Sequence, residues 1–361
     1  MYKKSILNSK KIKQLLFSAV FLMVSVLSLP SFAQEAAPKA EEKFNPKDVI
    51  LEHVGDSHSW PVFGNVVISL PVILYTDKGL ELFSSENIRE EEVNGKPEPK
   101  IYQGKYYSYT SEHDKIVVVD AVGKVDEAAS KKLIDFSITR NVASMWLGMT
   151  ILLVVFLSMS SAYRKRSGKG PKGVQSVLEP LVMFVRDDVA IPNIGAKYQK
   201  FIPLLLTMFF FILINNLLGL VPFFPGGFNL TGNIAVTMVL SVITLVVVNV
   251  NGNKYYWKHI FAPDIPLWLY IIMVPVEIIG IISKPFALMI RLFANITAGH
   301  IIVLSLISLI FIFKTLWVSP ASVLFVVFMD TIELLVAFLQ AYIFTMLTAL
   351  FIGMAVEEHH H

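Results

Sequence analysis

Residues 284–300 read KPFALMIRLFANITAGH, an apolar stretch that keeps a permanent cation, Arg291, with Asn295 four residues on and His300 nine residues on. It lies inside a long, mostly apolar region, 263–313, so the fold turns on whether this chain is embedded in lipid. Composition decides the question. Of 361 residues, 54% are hydrophobic and only 16% charged, and mean hydropathy is positive, far from the balance of a water-soluble globular domain. A polytopic membrane protein follows.

Working outward, the last apolar segment, 321–355, is too long for an upright span and should tilt. Region 263–313 fits either two ordinary spans or one long, broken helix, because Pro266, Pro275 and Pro285 each remove a backbone donor and crowd the preceding turn. Such breaks survive at membrane depth only where protein or water shields the freed groups. Upstream, FIPLLLTMFFFILINNLLGLVPF (201–223) and NIAVTMVLSVITLVVVNV (233–250) form a hairpin around a PGGFNLTG turn and return to the basic NGNKYYWKH loop. Residues 171–198 repeat apolar positions at helical spacing beside charges, so they should lie along the membrane surface. The first span, NVASMWLGMTILLVVFLSMSSAY (141–163), is followed at once by RKRSGKGPKG, which marks the cytoplasmic side.

The N-terminal third differs. Five lysines precede an apolar run from Leu15 to Leu29, then Pro30 and Ser31-Phe32-Ala33, the pattern of a secretory signal cleaved after Ala33, with an uncleaved anchor as the alternative. Residues 34–135 are polar and tyrosine-rich, with short strand-like runs at GNVVISLPVILYT, KYYSYTS and KIVVVDAVG and a turn in EEEVNGKPEPK. His53, Asp56, His58 and His113 are spaced too loosely for a metal site and read as surface polar residues. The expected fold class is an all-α polytopic membrane protein of about five crossing helices, the last two long and tilted, with a small exported, partly β N-terminal domain. Its expected divisions are a signal peptide (1–33), an extracytoplasmic domain (34–135), a membrane domain (136–358) and a histidine tail (359–361), native or the remnant of a tag.

Two classes of function fall away. Net charge is +3 with basic residues dispersed, which argues against nucleic acid. There is no cysteine, hence no disulfide, thiolate metal site or cysteine nucleophile. No cofactor or metal is expected.

The chemistry lies where ionisable groups interrupt the apolar background: Asp264, Glu277, Lys284, Arg291, His300, Lys314, Asp330 and Glu333, with Asn295 and Gln340 as uncharged partners. Each central charge costs about 2.5–3.5 kcal/mol on the mild insertion scale, so such groups face a bundle interior or a wet cavity. Glu277, Lys284 and Arg291 recur every seven residues, a drift of only about 20° per step, and Asn295 is one turn beyond. If the helix resumes after Pro285, these four share a stripe. His300 falls about 180° from Arg291 and serves another surface. Asp330, Glu333 and Gln340 share a face at i, i+3 and i+10. Each residue also has a blander reading: an arginine can snorkel to a helix end, and Lys284 can reach headgroups.

KPFALMIRLFANITAGH together with IELLVAFLQAYIFTMLTAL (332–350) resembles the signature of the subunit a family of rotary F-type ATP synthases, the membrane stator that conducts protons past a rotating c-ring. NNLLGLVPF and FSITRNV fit the same family, and the resemblance covers roughly 136–358. It implies that Arg291 is the stator arginine facing the carboxylate of each passing c subunit, with Asn295 its helical neighbour. His300 and Glu333 match the proton-handling pair of the periplasmic half-channel, in the histidine-first order of mitochondrial relatives. Gln340 matches a glutamine near the arginine, and Glu277 and Lys284 match the cytoplasmic half of the path. Asp330, one turn before Glu333, is expected to supplement the inlet, an expectation that the resemblance does not supply. Gly219 stands where some bacterial relatives carry an aspartate.

The resemblance further implies partners in the c-ring, the peripheral-stalk b subunits and the soluble ATPase sector. It implies a multi-pass place in the bacterial inner membrane, with the N-terminal domain periplasmic and the C-terminus cytoplasmic. The chain alone is not expected to be an enzyme, since it lacks a G-x-x-x-x-G-K-[ST] phosphate loop. The competing class is a secondary ion transporter with midplane charges on broken helices, against which stands the absence of two similar halves.

Overall fold

A computed structural model describes residues 55–63, 66–89, 91–93, 96–98, 100–112, 115–120, 123–165, 170–221, 226–228, 230–263, 265–313 and 318–357. The expected signal sequence, His53, His113, Asp264, Lys314 and the terminal histidines lie outside these residues.

Among the described residues, ten short strands precede the membrane helices: β1 (Ser59–Phe63), β2 (Val66–Ser69), β3 (Pro71–Thr76), β4 (Gly79–Ser84), β5 (Glu91–Val93), β6 (Lys96–Glu98), β7 (Tyr102–Gln103), β8 (Ser108–Glu112), β9 (Lys115–Val119) and β10 (Ile134–Asp135). They pair antiparallel as two hairpins, β1-β2 and β5-β6, and two three-stranded sheets, β10-β3-β4 and β7-β8-β9. Period-two alternation supplies the core: Val72 and Leu74 of β3, Phe83 of β4, Tyr109 of β8, and Ile116 and Val118 of β9 point inward together. Within EEEVNGKPEPK, β5 and β6 pair antiparallel, with Glu91 opposite Glu98. Glu81 is buried in this core and is satisfied there. It accepts from the Lys105 and Tyr106 amides (3.1 and 2.8 Å) and from the Tyr109 hydroxyl (2.9 Å). Burial first, and this bonded carboxylate second, push the Tyr109 hydroxyl well above its ordinary pKa.

After a four-residue helix, α1 (Glu127–Ser130), come α2 (Arg140–Lys165), α3 (Val174–Phe184), a π turn at Val185–Ala190, α4 (Ile191–Ile194), α5 (Tyr198–Gly219), α6 (Ile234–Asn251), α7 (Lys254–Phe261), α8 (Leu267–Phe313) and α9 (Val318–Val356). Among the described residues, five helical stretches are long and apolar enough to cross a membrane, so the chain is a multi-pass membrane protein. The region from 263 to 313 proves to be a single 47-residue helix, α8, which carries Pro275 and Pro285 inside it. Pro266 sits just before its first turn, where a missing amide costs nothing. The segment expected along the surface is α3, continued through the π turn and α4. Gly195, at φ +69, then turns the chain into α5, a conformation that glycine adopts without strain.

The helices cohere through apolar rows. On α8, Leu288, Leu292 and Ile296 recur every fourth residue and are buried; on α9, Ala337, Ala341, Phe344 and Ile352 answer them. Alanines at these positions let backbones approach closely, the usual packing device where lipid supplies no hydrophobic drive. Phe209 and Phe210 of α5 fill the centre, 5.1 Å apart and edge to face.

Candidate proton-path site

His300 completes the row Leu288–Leu292–Ile296–His300, so helical geometry turns it inward among packed side chains. There its Nδ1 meets Oε1 of Glu333 in a short, partly buried contact. Glu333 is buried at 6% exposure, on the same inward stripe of α9 as Gln340 at 5%. A buried charge is tolerable only when paired, and each member of this pair supplies what the other needs. Small neighbours make room: a methyl at Gly299 would come 3.0 Å from Glu333 Oε1. The other ring nitrogen of His300, Nε2, faces Gly219 of α5, where an added methyl would lie 3.9 Å away, and it has no hydrogen-bond partner among the described residues.

Arg291 and Asn295 stand elsewhere. Both are exposed on the chain's own surface, as are Ala287, Ala294 and Ala298 beside them and Lys284 below. Among the described residues Arg291 makes no ion pair and no hydrogen bond. Lys284, Arg291 and Asn295 thus share one exposed face of α8, Glu277 is half-buried, and His300 lies on the opposite, inward face. Asp330 departs from the shared face expected for it: it is exposed while Glu333 and Gln340 are buried, because a three-residue step turns it 60° toward the edge of the stripe. It remains within electrostatic reach of both Glu333 and His300.

Glu277 lies about 35 Å from His300 along the helix axis, by the 1.5 Å rise per residue. It is half-buried, 3.9 Å from Nδ1 of His259 on α7. The Tyr256 hydroxyl, on the same short helix, donates to Asn249 (3.2 Å), and its pKa is raised by burial and then by the charge of Glu277. Lys284 lines a cavity of about 20 Å³ with Asn249 and Tyr256, room for a single water. Its ammonium stands 5.8 Å from the Phe351 ring. This second polar cluster thus includes His259 and Tyr256, which sequence reasoning missed. The loop looked merely basic, and only its folding into α7, capped by Asn253 at the Tyr256 amide, turns both side chains toward Glu277.

Asn216 was also missed as a site residue, although an amide inside an apolar helix is itself a signal. Its Nδ2 donates to the Ala337 carbonyl (3.2 Å), and Thr231 donates to its Oδ1, so it ties α5 to α9 and to the turn after α5. Thr297 adds a further polar tie, donating to the Gly232 carbonyl at 3.3 Å. His58 pairs with Asp135 (3.1 Å), and Asp56 accepts from the Asn141 amide (3.1 Å), so both of these residues have structural partners.

The sequence model of a family described as ATP synthase A chain matches residues 142–353, and one described as a domain of unknown function, DUF8433, matches 49–136. Among similar proteins, ATP synthase subunit a of Chloroherpeton thalassium is 49% identical over 233 residues, 63% of this chain and 69% of the relative. ATP synthase subunit a 2 of Chlorobaculum tepidum is 52% identical over 62% of this chain and 64% of the relative. The corresponding subunit a 2 of Prosthecochloris aestuarii is 51% identical over 63% and 71%. The matched part is thus about two thirds of each relative's length.

Proposed function

Because the chain belongs to the ATP synthase A chain family, we propose that it is the proton-conducting stator subunit of an F-type ATP synthase, with two offset half-channels that meet a c-ring on either side of Arg291. The observation that carries this reading is the division of labour on α8. An unpartnered arginine lies on an exposed, small-residue face, and a histidine–carboxylate pair is buried on the opposite one.

An arginine on the outer face of an apolar helix is too costly to leave in lipid, so that face calls for a partner with a compensating anion. A c-subunit carboxylate fits. Arginine does not deprotonate in proteins, so it cannot relay a proton, and its charge favours the ionised form of an approaching acid. Arg291 therefore releases the proton and blocks its direct passage. At about 4 Å and an effective dielectric near 20 the attraction is about 4 kcal/mol, much of it offset by desolvation. A rotor can leave such a contact.

His300 and Glu333 form the inlet. Imidazole exchanges protons near neutral pH, and the carboxylate beside it holds one ring nitrogen while Nε2 stays open toward the entry side. Asp330 sits at the edge of the same inlet. Glu277, Lys284, His259 and Tyr256 line the outlet, with Gln340 buried between the two and Asn295 beside the arginine. The basic 164–173 segment supports a cytoplasmic outlet and a periplasmic β domain. A proton must then ride the ring to cross, and each charge moved through the potential supplies about 2.3 kcal/mol per 100 mV. Catalysis of ATP synthesis belongs to the soluble sector, held to this subunit through the peripheral-stalk b subunits.

The test is ATP-driven proton pumping in membranes carrying Arg291→Ala. Pumping is expected to vanish while the c-ring still copurifies; coupled pumping at the original rate would refute the assignment. Transport by the purified chain alone in liposomes would favour a secondary transporter instead.

A further inference from the structure

The exported β domain is joined to the membrane helices by more than a linker. Gly55, Asp56 and Ser57 cap α2 from outside. The Arg140 amide donates to the Ser57 carbonyl (2.8 Å), the Asn141 amide to Asp56 Oδ1 (3.1 Å), and the Arg140 guanidinium to the Gly55 carbonyl. Three residues beyond Ser57, Trp60 of β1 leaves the domain's own core and is buried, at 8% exposure, in a separate apolar cluster with Phe228 and Leu230 of the turn between α5 and α6. The Trp60 and Phe228 rings meet edge to face at 5.7 Å, and both turn residues are only 1% exposed.

That turn covers the inlet. The Phe228 carbonyl lies where a methyl on Gly219 would approach within 2.9 Å, and the same position on Gly219 faces His300 Nε2, the open nitrogen of the pair. Thr231 of the turn bonds Asn216, and the Gly232 carbonyl accepts from Thr297, one turn before His300. Trp60 thus touches Phe228, and Phe228 and His300 both border the space beside Gly219.

We infer that the exported β domain forms the outer wall of the proton inlet, with Trp60 as a positioning residue that clamps Phe228 and so fixes turn residues 226–228 and 230–232 over His300 and Glu333. The inference rests on the inlet reading above. Without the clamp, the turn is free to lift, bulk water reaches the pair, and the conditions under which it takes up protons change.

The chain's lack of cysteine allows a direct test in the assembled complex. Thr231→Cys places a thiol under the turn, at a position 1% exposed, and a membrane-impermeant thiol reagent is added from the periplasmic side. Adding Trp60→Ala is expected to speed labelling by about tenfold or more, the response of a local opening made about 1.4 kcal/mol easier. In the Thr231 background, it should also move the external pH of half-maximal proton-driven ATP synthesis by about half a unit or more. Trp60→Phe, which keeps an aromatic face, should restore both. If Trp60→Ala prevents copurification of the c-ring, Phe228→Leu removes the same ring contact from the other side and is read in the same way. Unchanged labelling overturns the clamp, and faster labelling with an unmoved pH profile overturns its role in the inlet. Labelling reports the turn whatever the ion path, so its failure is distinct from a failure of the stator reading, which the Arg291→Ala pumping assay decides.

Discussion

A methyl group at Gly219 would press on the Phe228 carbonyl and stand before His300 Nε2, so in the proposed inlet this position sets the width of the passage to the pair. Gly219→Leu is expected to cut proton-driven ATP synthesis at least about tenfold with the subunit still assembled, measured in inverted membranes. Glu333→Gln separates geometry from charge. The amide keeps a hydrogen bond to His300 Nδ1 but cannot hold a negative charge, so synthesis should fall while c-ring copurification persists. Restored rates in that variant at any external pH would remove the carboxylate from the path. The sequence already marked Arg291, His300 and Glu333, because an ionisable group in an apolar helix is costly enough to need a reason. It did not mark His259 or Tyr256, since a polar residue in a polar loop carries no such cost, and their approach to Glu277 depends on how α7 folds back.

Helices were legible because lipid demands length and apolarity, and those are properties of single segments. What stayed open was α8, where hydropathy alone does not separate one span from two. The structure runs straight through Pro275 and Pro285. Strand pairing in the β domain was not legible either, since short strands gain their registers from partners far along the chain. The joint between domain and helix gives two expectations at this scale. Asp56→Ala removes the side-chain acceptor at the start of α2 and should cost about 1 kcal/mol, read as faster amide exchange in its first turn, whereas Asp56→Asn should cost less. Asp135 is partly buried, which alone would raise its pKa, but hydrogen bonds from His58 and Ser137 hold it below the ordinary 3.8. Its stabilising contribution is therefore complete above that value and is lost as pH falls through the lower folded value. Protease resistance of the β domain should decline over that acidic window, and Asp135→Asn should flatten the decline.

For the molecule as a whole, one surface is unlike the rest. The face of α8 bearing Ala287, Arg291, Ala294, Asn295 and Ala298 combines small side chains with a cation, whereas the outward faces of α2 and of the first half of α9 carry Leu153, Val154, Leu157, Leu324, Phe325 and Phe328, as lipid contact requires. Small residues permit close backbone approach, and their value appears only when another helix uses the space. A c-ring helix gliding past Arg291 is that helix in the present reading. Ala294→Trp fills the groove without touching the guanidinium or the inlet pair. It should leave the chain inserted and its β domain folded, yet weaken c-ring copurification and lower coupled ATP synthesis together by about tenfold or more, as overpacking of a tight interface does. A tryptophan at Leu157, on the outer face of α2, is the control and should change neither. If Ala294→Trp copurified and coupled as well as that control, the small-residue face would have to look onto lipid. The unpaired charge of Arg291 would then need an anion from within this chain, and among the described residues none is in contact with it.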